Sequence, residues 1–136
     1  MVGIVVVTHC GIADEMLLAL EQIVGEVEGI ESVSIDVTEP PEVIRERIRR
    51  SIRNVDRGKG VLIFTDMFGG TPSNVSLSFL EKGRVEVVTG VNLPMLLKVA
   101  TLRDEMGLEE LASYIANYGK SNINVASKLL EKKAEV

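Results

Sequence analysis

Gly60-Val61-Leu62-Ile63-Phe64-Thr65-Asp66-Met67-Phe68-Gly69-Gly70-Thr71-Pro72-Ser73-Asn74 is the stretch on which the fold turns. Its apolar run, Val61 to Phe64, is too short for a helix and suits a strand buried on both faces of a parallel sheet. Two glycines follow. Then Thr71-Pro72 opens a helix, with proline at a position where its missing N–H costs nothing. Strand, Gly-rich loop and helix in that order make the first half of a β-α-β unit.

Two other runs are of the same kind, Ile4 to Val7 and, broken by Glu86, Val85 to Val88. Val33-Ser34-Ile35-Asp36-Val37 alternates instead, as an edge strand with one wet face does. Helical stripes lie between the runs. Ala13, Met16, Leu17, Leu20 and Val24 form one, and Ile44, Ile48, Ile52 and Val55 form a narrower one after Pro40-Pro41. A helix near Pro94 is apolar on most sides, which predicts burial against another helix or another subunit. Leu108, Leu111, Ala112, Ile115 and Ala116 mark a fifth. Asn122 to Ala126 alternates and predicts a short final strand, and the charged tail from Lys128 is expected to fray. The sum is an α/β fold over residues 1–136, read as one domain. Its open, mainly parallel sheet has order 2-1-3-4, with helices on both faces and an extra C-terminal edge strand.

The 136 residues are 46% hydrophobic, enough to fill a core. With no Trp, three Phe and two Tyr, that core is aliphatic. A net charge of −5 gives no electrostatic reason to hold nucleic acid. No apolar run approaches the roughly 20 residues of a membrane span. The first residues lack the basic head of a signal peptide. A lone cysteine, Cys10, excludes an intrachain disulfide, and the whole fits the cytoplasm. The arginines at 45, 47, 49, 50, 53 and 57 follow glutamates at 39, 42 and 46. Acid first and base last complements the helix dipole. A solvated helix face is one reading, and a docking surface for an acidic partner is the other.

Ligands of open parallel sheets sit beyond the carboxyl ends of the strands, where strand order reverses. The first and third strands, being the most apolar, should be central and adjacent. Their ends read Thr8-His9-Cys10-Gly11 and Thr65-Asp66-Met67-Phe68-Gly69-Gly70-Thr71-Pro72, which brings His9 and Asp66 together. A carboxylate that accepts one imidazole N–H fixes the tautomer and aims the other nitrogen outward. The plainer alternative is a core histidine bonded to backbone. The Gly69-Gly70 loop lets a ligand approach the backbone closely, and the first amides of the next helix face any anion there. Thr71 is a candidate N-cap, and its hydroxyl or that of Ser73 is a candidate phosphoryl ligand. A capped Gly-rich turn with no anion is the alternative. No Gly-x-x-x-x-Gly-Lys-Ser/Thr loop is present, and one His beside one Cys makes no zinc site, so neither metal nor cofactor is expected. Cys10 reads as a small residue tolerated in a turn, with a reactive thiol as the alternative.

At these residues the sequence resembles the mannose-class enzyme IIA proteins of the bacterial phosphoenolpyruvate-dependent sugar phosphotransferase system. The blocks Gly3-Ile4-Val5-Val6-Val7-Thr8-His9, Gly60 to Asn74, and Val88-Thr89-Gly90-Val91-Asn92-Leu93-Pro94-Met95-Leu96 carry the likeness, in order, over nearly the whole chain. The resemblance implies a phosphotransferase with a phosphohistidine intermediate on Nε2 of His9, oriented by Asp66. It implies phosphorylated HPr as donor and enzyme IIB as acceptor, with the membrane met only through a transporter complex. It also implies a homodimer that exchanges an antiparallel C-terminal strand, for which Asn122 to Ala126 is the candidate. The family commonly has Gly after the histidine, where this chain has Cys10. No fused IIB domain is expected, which leaves a stand-alone phosphorylation-state regulator and a dihydroxyacetone-kinase-type phosphoryl donor as alternatives. A non-covalent, flavodoxin-like anion-binding module is more remote. The sugar is not legible.

Overall fold

The computed structural model describes residues 1–134. Four parallel strands form the sheet: β1 (Gly3–His9), β2 (Ile30–Ile35), β3 (Val61–Thr65) and β4 (Val85–Thr89), in the order β2-β1-β3-β4. Val5 of β1 lies between Glu31 of β2 and Ile63 of β3. Alternate side chains of the two central strands then feed two separate cores. Ile4, Val6, Leu62 and Phe64 pack with α1 (Ile12–Val24), α4 (Leu93–Leu102) and α5 (Leu108–Ser121). Val5, Val7, Val61 and Ile63 pack with α2 (Pro41–Val55) and α3 (Thr71–Leu77). All eight of these strand side chains are fully buried. At about 1.5–3 kcal/mol for each large apolar side chain, this central pair dominates the drive to fold.

The expected strand order and two-faced helical cover are present, with differences at three places. β2 begins at Ile30 and ends at Ile35, earlier than the alternation of residues 33–37 suggests. Asp36 stops it, because its carboxylate accepts hydrogen bonds from the Thr38 N–H and hydroxyl and turns the chain. The expected antiparallel edge strand at Asn122–Ala126 is absent from the described residues. Asn122 ends α5, and a further helix, α6 (Ala126–Ala134), begins where a frayed tail was expected. An alternating segment is a strand only when an edge pairs with it, and the Lys, Leu, Glu and Ala residues from 128 onward favour a helix. No residue of α6 is buried.

The apolar excess of α4 is used against α5. Met95 lies over Gly119, where any Cβ would collide with the thioether. Asn92 joins the two helices. Its side-chain oxygen accepts from the Met95 N–H at 3.1 Å, and its amide donates to the Gly119 carbonyl at 3.1 Å.

Arg103, just past α4, is 4% exposed. Its guanidinium donates to the carbonyls of Val2 (2.9 Å), Glu28 (2.6 Å) and Gly29 (2.7 Å). One side chain thereby ties the end of α4 to the entry of β1 and the turn into β2. Three carbonyls depend on a fork that lysine cannot reproduce. Arg103→Ala is expected to cost about 3 kcal/mol in urea unfolding, and Arg103→Lys to recover less than half of it.

Candidate active site

The site lies where β1 and β3 end. The last inward side chain of each is a threonine whose hydroxyl braces the turn that follows. Thr8 accepts the Ala13 N–H at 2.8 Å and so caps α1 from the strand. Thr65 shares a 2.7 Å hydrogen bond with the Ser73 hydroxyl, which in turn donates to the Met67 carbonyl. The Thr65 carbonyl accepts the N–H groups of Gly90 and Val91 at 2.9 and 3.0 Å, anchoring the loop after β4 as well.

These braces hold His9 against Asp66. Asp66 Oδ2 accepts the His9 backbone N–H at 2.9 Å and contacts His9 Nδ1 at 2.8 Å, while Oδ1 accepts the Met67 N–H at 3.1 Å. With the carboxylate ionised, Nδ1 is the protonated nitrogen and Nε2 keeps its lone pair. Burial raises the affinity of Asp66 for a proton, but the hydrogen bonds from the His9 backbone and ring outweigh it and hold the carboxyl below its ordinary 3.8. The imidazole is 31% exposed and the carboxylate 14%. The imidazole therefore meets solvent while its anchor is covered.

The Gly69-Gly70 loop forms the wall on the Nε2 side. Both glycines have positive φ, 90° and 81°. A Cβ on Gly70 would stand 2.9 Å from His9 Cε1 and 3.0 Å from Nε2. Only glycine lets this loop lie against the imidazole. Gly70, not Thr71, is the N-cap of α3. Thr71 is its first helical residue, and no side chain caps this end. The first rung of α3 runs from the Asn74 N–H to the Gly70 carbonyl at 3.0 Å, so the amides of Thr71 and Ser73 precede the ladder. Of the two hydroxyls considered as ligands, that of Thr71 stays half-exposed. That of Ser73 is buried and committed to Thr65 and Met67.

Cys10 is exposed and adopts φ 48°, the left-handed region. Its N–H donates to the Ile35 carbonyl at 2.8 Å, fixing the turn to β2. Apolar groups rim the site. Phe68 and Met67 are 75% and 53% exposed. A shallow groove of about 500 Å³ is lined by Gly11, Ile12, Glu15, Met16, Ala19 and Leu93. Sequence reasoning missed this groove, whose residues come from two helices far apart in the chain.

The family model for EIIA-man, described as the PTS system fructose IIA component, matches residues 3–116. The chain belongs to the EIIA-man family. It is 29% identical over 133 residues to the PTS system fructose-specific EIIA component of Bacillus subtilis, covering 97% of this chain and 91% of that protein. It is 31% identical over 136 residues to the PTS system mannose-specific EIIAB component of Escherichia coli K12, of whose length it spans 42%. Among solved structures, the phosphotransferase system component EIIA from Streptococcus agalactiae superposes with a TM-score of 0.85 at 26% identity, over 94% of this chain and 99% of that one. Its relatives being phosphotransferase-system EIIA components, the chain is a member of a phosphoryl-transferring family.

Two outcomes follow for this site. Cys10→Gly relieves a left-handed β-carbon but adds unfolded-state entropy, for a net gain of about 0.5–1 kcal/mol by urea unfolding; a loss would mean that the Cys10 side chain makes compensating contacts. Asp66 has a depressed folded-state pKa, so its stabilisation is present above the ordinary carboxylate value and disappears as pH falls through the folded value. Asp66→Asn is therefore expected to be less stable than the parent at neutral pH, with the gap closing below about pH 4.

Proposed function

We propose that this chain carries a phosphoryl group on Nε2 of His9, accepted from phosphorylated HPr and passed to an enzyme IIB component of a mannose-class sugar phosphotransferase system in the cytoplasm. The observation that carries this reading is the pair of hydrogen bonds that Asp66 accepts from the backbone and the ring of His9. It leaves Nε2 as the only nitrogen with a free lone pair, beside a loop that only glycine can form.

In the forward step the Nε2 lone pair forms a bond to phosphorus as the bond from phosphorus to the donor histidine nitrogen breaks. The ring gains positive charge. Nδ1 keeps its proton, and the Asp66 carboxylate balances the charge without taking that proton. The equatorial oxygens of the transferring group meet the amides at the start of α3, the Gly69-Gly70 loop and the Thr71 hydroxyl. Catalysis of this kind is positioning and electrostatic stabilisation. Delivery to enzyme IIB is the same displacement, with His9 as the leaving group. Phe68, Met67 and the groove between α1 and α4 offer an apolar landing surface around the exposed ring. A homodimer fits the exposed Ile123, Val125, Leu129 and Leu130 around α6, since apolar groups on an unpacked arm gain by covering one another.

Incubation with phosphoenolpyruvate, enzyme I and HPr is expected to add one acid-labile, base-stable phosphoryl group by intact mass, and His9→Ala to add none. Asp66→Asn is expected to slow the gain by about 100-fold or more while keeping a cooperative melt. Wild-type rates in that variant would remove the orienting role. Gly70→Ala is expected to fold and lose most phosphorylation, because its Cβ displaces the ring. No mass gain, with HPr itself phosphorylated, would put the anion-binding module in place of the phosphocarrier.

A further inference from the structure

We propose that the outer face of α2 is a docking surface for an acidic protein segment, separate from the face on which His9 exchanges its phosphoryl group. The chain is acidic overall, yet six of its fifteen Lys and Arg residues lie between residues 45 and 57. All six are arginine. At 3.6 residues per turn, Arg45, Arg49, Arg50 and Arg53 fall within an arc of about 140° on the side of α2 away from its buried Ile44, Ile48 and Val55, and Arg57 follows just past the helix end. Arg45, Arg49 and Arg53 follow one another at i,i+4. Like charges at that spacing work against the helix that bears them. The helix dipole rewards cations only in the last turn and does not explain Arg45 or Arg49.

The internal ion pairs do not use up the charge. Arg47 is taken by Glu39, Arg49 by Glu46, and Arg57 reaches Glu28 at 3.6 Å. Arg45, Arg50 and Arg53 are exposed and have no carboxylate partner among the described residues. Two of the guanidiniums are held in place across the seam with α3. Arg45 donates to the Ser78 hydroxyl at 3.3 Å, and Arg49 stands 5.7 Å over the Phe79 ring. Forks fixed this way lose less freedom on meeting a carboxylate. α2 and α3 cover one face of the sheet, while the apolar groove beside His9 is built from α1 and α4 on the other.

The pattern selects the partner. Glu46 sits inside the arginine arc, and Glu28 and Glu31 border it, with Glu31 accepting from Ser51 and Asn54. A continuous polyanion such as nucleic acid would be repelled by these carboxylates and by the net charge of −5. A helix with carboxylates at discrete spacing can match each fork and avoid each acid.

The probe is a capped Ala-based helical peptide with Glu at every fourth position, labelled for fluorescence anisotropy at low ionic strength. Its control is a permuted peptide of the same composition. The parent and the His9→Ala variant are expected to bind the spaced peptide equally, and about 10-fold tighter than the permuted one. Arg45→Gln/Arg50→Gln/Arg53→Gln is expected to lose about 10-fold in affinity. Lys128→Gln/Lys132→Gln/Lys133→Gln, the same charge change on α6, is expected to lose less than about 2-fold. Equal losses in the two triple variants would overturn the proposal, as would equal binding of the two peptides or tighter binding of a DNA duplex. Phosphorylation of the arginine variant by HPr is expected to match the parent, which keeps a loss of docking separate from a loss of chemistry.

Discussion

Side by side, β1 and β3 must be buried on both faces, and most of the molecule follows from that constraint. A strand whose alternate side chains both need apolar cover has to lie inside a parallel sheet with helices above and below. Each connection must then cross from the carboxyl end of one strand to the amino end of the next. The consequence for chemistry is positional. The first ionisable residues after each apolar run, His9 and Asp66, emerge at the same edge and on adjacent strands. Their bond is set by the register, in which Val7 pairs with Thr65. The geometry that aims Nε2 is therefore built into the core, and the loops only trim it.

The trimming is done by hydroxyls and glycines. Thr8 and Thr65 are buried polar side chains in otherwise apolar strands, and each costs free energy unless bonded. Each is bonded to the start of the helix that follows its strand. Ser73 belongs to the same bracing set. Its place in the Gly-rich loop made it a candidate ligand, and its commitment to Thr65 and Met67 makes its hydroxyl unavailable as one. A hydroxyl at the start of a helix after a Gly-rich loop has two uses, and sequence alone does not separate them, because the choice depends on whether the helix turns it inward or outward.

What was legible in the sequence is what depends on local pattern with one strong consequence. Apolar runs of four residues gave the central strands, and the topology of parallel sheets gave the His9–Asp66 pair. What was not legible depends on partners far along the chain. Arg103 looks like an ordinary helix-end cation, yet it binds three carbonyls 74 to 101 residues away. The alternation at Asn122 to Ala126 is strand-like, but alternation states only which side chains would share a face, not whether an edge is present to pair with. The N-cap shifted from Thr71 to Gly70 for a similar reason. Close approach to the His9 ring demands a positive φ at residue 70, and that constraint outranks the capping preference of threonine.

Cys10 shows how tightly the two ends of the site are coupled. The turn after His9 must reverse within two residues to start α1, and it does so through a left-handed residue bonded to the end of β2. Glycine meets that demand without a steric penalty, while cysteine incurs one. The Asp66 carboxylate still holds the His9 backbone N–H one residue before, and Thr8 still caps α1 from the strand. The strain is therefore confined to one residue between two fixed points. It does not reach the imidazole, whose position is set by β1 on one side and Asp66 on the other.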